Sequence, residues 1–139
     1  GEPLVLFDRG VGIRSVPLDR EAHDLRLRAR YEEIVDAAPI LIPLVSKAID
    51  RGFVAEAADS YRNFLLRPLV DLLRMEHCPD RFDFGFRYLD RDLPTAERAL
   101  IDDLSTTGDL ESIDGLRTQA FAVFERQRIR VGEMLTDAL

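Results

Sequence analysis

Apolar residues recur at helical spacing along most of this chain. Ala22, Leu25, Ala29 and one or more of Tyr31, Ile34, Val35 and Ala38 fall at the spacing of one face of a first predicted helix. Arg20, Asp24, Arg28 and Glu32 lie opposite, where charges four apart add roughly 0.2–0.5 kcal/mol per pair. Asp19 suits its N-cap and Glu21 its first turn. Pro39 predicts a break and the first turn of a second helix, closed by Gly52 in a left-handed conformation. Ile40, Leu41, Ile42, Leu44, Val45 and Ala48 make that segment apolar nearly all round, which predicts burial on more than one side. A third pattern, over 53–77, contains Ala57, Tyr61, Phe64, Leu65, Leu69, Leu72 and Leu73. Pro68 lies inside it. A proline there loses one backbone bond and clashes with the carbonyl of Phe64, at about 3 kcal/mol, so a kink or break is expected.

Pro79 ends this helix, and 80–92 reads as irregular chain or a short helical turn. Pro94 opens a fourth helix over 95–105, with Ala96, Ala99, Leu100 and Leu104 inward. Asp109 caps a fifth, to residue 136, whose stripe is Leu110, Ile113, Leu116, Ala120, Val123, Phe124, Val131, Met134 and Leu135. Ahead of the helices, the apolar runs 4–7 and 11–16 flank an Asp-Arg-Gly turn and predict a strand or short β-hairpin over 1–17. Two strands alone are marginal in water and need a further surface. The expected fold is all-α: an up-down antiparallel bundle of four to five helices over 18–139, preceded by the strand remnant or linker.

Composition narrows the class. The 139 residues suit one domain, and 46% hydrophobic with 32% charged residues is a globular balance. No apolar run approaches the roughly 18 residues of a membrane span, so no membrane partner is expected. The net charge of −7 opposes phosphate backbones, and no basic run redresses it, so no nucleic-acid partner is expected. A single cysteine, Cys78, rules out an internal disulfide and points to a reducing, cytoplasmic setting. Glu2 and Asp8 stand where a leader would be basic. A start at Gly1 without methionine suggests a piece of a longer protein.

The stretch 67–94 concentrates the chemistry. Glu76, His77, Cys78, Asp80 and Asp83 crowd together, yet their spacing is not that of paired zinc ligands, so no metal is expected. His77 and Cys78 are neighbours on a helix and diverge by about 100°, which opposes a Cys-His nucleophile pair. Neither a GxSxG turn nor a glycine-rich phosphate loop occurs. The carboxylates Asp71, Glu76, Asp83, Asp90 and Asp92 are candidate bases or substrate acceptors. Phe82, Phe84, Phe86 and Tyr88, two apart, either plug the end of a bundle or form one wall of a pocket.

Several strings here carry a resemblance: 66–74 (LRPLVDLLR), His77-Cys78-Pro79, Asp83-Phe84-Gly85, Arg87-Tyr88-Leu89 and Asp92-Leu93-Pro94. Together they resemble the C-terminal helical region of bacterial nucleotidyltransferase-domain proteins, distant relatives of kanamycin nucleotidyltransferase. The likeness spans 18–104 and is sharpest over 66–94. It implies a two-part protein: a preceding α/β domain with a Gly-Ser motif and paired aspartates holding Mg²⁺ and a nucleoside triphosphate, then helices that bind the acceptor substrate, often within a homodimer. The catalytic motif is absent from this chain; Asp90-Arg91-Asp92 has the Asp-x-Asp spacing, but between helices. The resemblance therefore places the chemistry before Gly1 and makes Asp71 or Glu76 the candidate general base. Arg67, His77, Asp83 and Tyr88 are then candidates to orient substrate or hold the bundle end. The competing expectation is a helical protein-interaction or dimerisation module without a small-molecule ligand. A concave site lined by Glu76, Asp83 and Tyr88 favours the first; a flat apolar patch favours the second.

Overall fold

The computed structural model describes residues 19–137, and among them every regular element is helical. The predicted hairpin over 1–17 lies outside the described residues.

Helix α1 is Arg20–Arg51, one helix of 32 residues where the prolines predicted two. Asp19 caps it, its Oδ1 accepting the Ala22 N–H at 3.1 Å, and Gly52 closes it at φ 84°. Pro39 and Pro43 lie inside and are exposed. A proline removes one backbone bond. On an exposed face water can bond the carbonyls left over, while Ile34, Val45 and Ala48, buried on either side, hold the helix continuous. The buried face is also rotated from the predicted one. His23, Leu27, Ile34, Val45 and Ala48 point inward, whereas Ala29 is exposed and Leu25 and Ile40 are 63% and 69% exposed. Burial on several sides of the second half is thereby corrected: one side faces solvent.

Helix α2, Val54–Tyr61, passes into a π-helical turn, Arg62–Leu66, and then into α3, Arg67–His77. The π turn stands directly before Pro68, where a kink or break was expected. In the π turn the Arg67 N–H donates to the carbonyl five residues back, Arg62. The widened turn absorbs the register lost at the proline without breaking the helix.

After α3 come a 3₁₀ turn, Pro79–Arg81, further tight turns, and a short helix α4, Leu89–Asp92. Helix α5 is Thr95–Ser105 and α6 is Leu110–Asp137. Asp109 caps α6 as predicted, accepting the Ser112 N–H at 2.9 Å. The α6 stripe is close to expectation, with Ile113, Ala120, Phe124 and Val131 buried, but Gln127 joins it and Met134 is 38% exposed. In α5 the buried residues are Ile101 and Leu104, while Ala96 and Ala99 are exposed.

Helix α3 is the hub. Leu69, Val70, Leu72, Leu73 and Met75 are all buried, as are Leu65 and Leu66 in the π turn before it. A helix apolar on so many sides needs neighbours on several sides. Here α6, α1 and the 3₁₀ turn supply them. Contacts run in opposite order along α1 and along α3 with the 3₁₀ turn after it: Arg20 meets Asp80, His23 meets Pro79, and Arg30 meets Asp71. Tyr61 is fully buried and donates its hydroxyl to the Leu104 carbonyl at 2.7 Å, tying α2 to α5; burial pushes its pKa up.

Candidate functional site

Helix α3 presents three different chemical faces near its C-terminal end. The first is sealed. Arg74 is fully buried, and its guanidinium fork organises the whole loop after the helix. Its Nε donates to the Gly85 carbonyl at 2.7 Å, its Nη1 to the Arg81 carbonyl at 3.3 Å, and its Nη2 to the Arg87 carbonyl. The same Nη1 meets Asp92 Oδ2 at 2.8 Å. Asp92, also buried, pairs through Oδ1 with Arg81 at 2.7 Å. The hydrogen bond from Arg81, joined by that from Arg74, holds the Asp92 carboxyl far below the usual carboxylate range despite its burial. The planar, always-charged guanidinium suits this task, since one group satisfies several carbonyls and a carboxylate at once. Asp92, a candidate base by sequence, is thus engaged on both oxygens inside the fold.

The second face meets α1. Asp71 accepts from Arg30 Nε at 2.9 Å and Nη2 at 2.8 Å. Burial nevertheless pushes its carboxyl above the ordinary range, the Arg30 interaction offsetting only part of the desolvation. Asp83 is close enough to add to that upward push, but is itself exposed.

The third face opens into a polar cleft of about 340 Å³ between α3, α5 and α6. Glu76 and His77 line it, facing Glu97, Arg126, Gln127 and Arg130. Glu76 accepts from Gln127 Nε2 at 2.7 Å through Oε1 and from Arg130 through Oε2. Burial works against its charge, but these two donors outweigh it and hold the carboxyl below the ordinary range. His77 Nε2 lies 3.5 Å from Glu76 and 3.8 Å from Glu97. The Glu97 Oε2 is buried with no hydrogen-bond partner among the described residues.

The six sequence candidates therefore separate, and the expected concave site lined by Glu76, Asp83 and Tyr88 together does not form. Glu76 and His77 share the cleft; Asp71 faces α1; Asp83 and Tyr88 lie on the outer loop, with Tyr88 51% exposed. Arg67 sits at the π turn, its Nε donating to Asn63 at 3.0 Å and its guanidinium over the Phe86 ring. Of the four aromatics, Phe82 is buried edge-on to His23, Phe84 and Phe86 are half-buried, and Tyr88 is open to solvent. The end-plug reading fits Phe82 best. His77 and Cys78 diverge as expected: the first faces the cleft and the second is buried at 3.5 Å from Arg74, where burial pushes its thiol up.

Sequence reasoning missed Glu97, Gln127 and Arg130, which come from two other helices and form no local motif. It also missed an apolar groove of about 730 Å³ between α1 and α6, lined by Ala38, Pro39, Ile42, Pro43, Phe121 and Phe124 among others. The proline pair, four apart and outward, was the available signal for that groove. Among the described residues no group of three His, Cys, Asp or Glu stands as metal ligands would, and no helix is long and apolar enough to cross a membrane. In comparisons with protein families, curated proteins and solved structures, nothing matches this chain.

Proposed function

We propose that this chain is the helical, acceptor-binding half of a nucleotidyltransferase-like protein, with its helices arranged as an up-down bundle. The observation that carries the reading is the polar cleft, where Glu76 and His77 meet Glu97, Arg126 and Arg130 across three helices. In this reading Glu76, kept ionised by Gln127 and Arg130, exchanges one of these donors for an acceptor hydroxyl and orients it. The catalytic aspartates, Mg²⁺ and the nucleoside triphosphate belong to a preceding domain of the same parent chain. The one cysteine, held as a buried thiol, fits a cytoplasmic setting.

The test is the parent gene. A segment upstream of Gly1 encoding Gly-Ser followed by Asp-x-Asp supports the reading, and a parent without such a segment overturns it. In the parent enzyme, Glu76→Gln is expected to lower kcat at least tenfold with KM changed less, if Glu76 acts on the acceptor hydroxyl.

The apolar groove between α1 and α6 favours a second reading, a helical interaction or dimerisation module. Sedimentation analysis separates the two. A Phe121→Asp variant that remains folded but loses a self-association seen in the parent chain supports the module.

A further inference from the structure

The π turn before Pro68 has a consequence on the surface. In an α-helix, residues five apart point about 140° from one another. In the π turn the Arg67 N–H bonds the Arg62 carbonyl, so residues five apart stand one above the other. Arg62 and Arg67 are thereby brought to one face. Their guanidinium carbons lie 5.5 and 5.4 Å from the centre of the same Phe86 ring.

Two like charges converge on one ring without a counter-charge. Among the described residues neither Arg62 nor Arg67 has a carboxylate within 4.0 Å, whereas Arg20, Arg30, Arg51, Arg74 and Arg81 each do. Asp59 precedes Arg67 by two turns, with Asn63 between them. Its amide donates to Asp59 at 3.0 Å and its oxygen accepts from Arg67 Nε at 3.0 Å. The arginine is oriented by a neutral group, so its charge stays available. Nearby, Arg87 lies 4.9 Å from the Phe84 ring and also holds no carboxylate. A guanidinium held near a ring by cation–π attraction still has N–H donors to offer a tetrahedral anion.

We propose that Arg62, Arg67 and Phe86 form a binding site for a phosphate-bearing ligand, with Arg87 as an outlying contact. The site is remote from the Glu76 cleft and does not depend on the function proposed above. Its recognition element is the phosphoryl group, presented by a nucleotide or by free polyphosphate.

The experiment is titration of the full, ¹⁵N-labelled chain with sodium pyrophosphate at constant ionic strength, following the arginine Nε–H signals. The Arg62 and Arg67 signals are expected to move together and saturate. Arg62→Gln and Arg67→Gln should each weaken binding at least tenfold. Arg67→Lys, which keeps the charge but loses the fork, should weaken it several-fold, as should Phe86→Leu. A parallel titration with ADP separates the sources. Tighter binding than pyrophosphate, with shifts at Tyr88, supports the site with a nucleotide as ligand; equal binding supports it with the phosphoryl group alone. The proposal is overturned if chloride moves the signals as far as pyrophosphate does. It is equally overturned if the two glutamine variants, folded by circular dichroism, bind pyrophosphate like the parent.

Discussion

Helix α3 carries two ion pairs within one turn of each other, Arg74–Asp92 and Glu76–Arg130, and their surroundings differ. Both side chains of the first are fully buried. In the second, Arg130 is 65% exposed while Glu76 is mostly covered. Arg74 turns all three of its nitrogens on the loop that follows α3, so its charge is part of the fold. Glu76 sits at the wall of a cleft that His77, Glu97 and Arg130 also line. The same charge chemistry, two residues apart on one helix, is structural where water is excluded and available for binding where it is not. The reason is solvation: an enclosed pair cannot exchange partners with water, and an open one can.

The comparison can be broken most directly at the sealed pair. Arg74→Met leaves Asp92 buried with Arg81 as its main partner and removes the donors to three loop carbonyls, so a loss of about 3–5 kcal/mol is expected in urea denaturation. A loss below about 1 kcal/mol would show that the clamp is not what holds the loop.

Acid provides the next test. The folded pKa of Asp92 is depressed, so the stability it adds is fully present above its unfolded value near 3.8 and is lost as pH falls below that. Asp71 has the opposite sign. Its folded pKa is raised, so its favourable contribution is present below the unfolded value and disappears as pH rises through the folded one. Asp92→Asn should therefore flatten the acid limb of the stability curve, while Asp71→Asn should steepen it. The same direction of change in both variants would contradict the assignment of burial as the dominant influence on Asp71.

At the open pair the effects are smaller. A double-mutant cycle over Glu76→Gln and Arg130→Gln should give a coupling of about 1 kcal/mol or less, and it should shrink in added salt. A coupling that is large and indifferent to salt would make this pair structural like the first. Asp71→Asn is expected to change stability at pH 7 by less than about 1 kcal/mol, because desolvation of the carboxylate outweighs the attraction of Arg30, so little net stabilisation is lost with the charge.

Much of the fold was legible from residue type. Asp19, Gly52 and Asp109 mark helix ends by caps that depend only on local backbone geometry, and each stands where expected. The prolines were less legible. Pro39 and Pro43 lie within a helix that long-range packing keeps whole, and Pro68 was met by a π turn rather than a break. Local cost identified where strain arises, but the neighbours determined how it was relieved. The site was legible only in part. Glu76 and His77 drew attention as neighbours in sequence, whereas Glu97, Gln127 and Arg130 complete the cleft from helices 20 to 54 residues further on.

What the sequence determined by itself was the helical class and the capped ends, since these follow from periodicity and from short-range hydrogen bonding. Tertiary structure alone decided which face of α1 turns inward, which arginine is sealed and which is free, and how Arg62 and Arg67 come to share a ring. Those outcomes depend on solvent exclusion and on which segments meet. Neither is a property of any one stretch of chain.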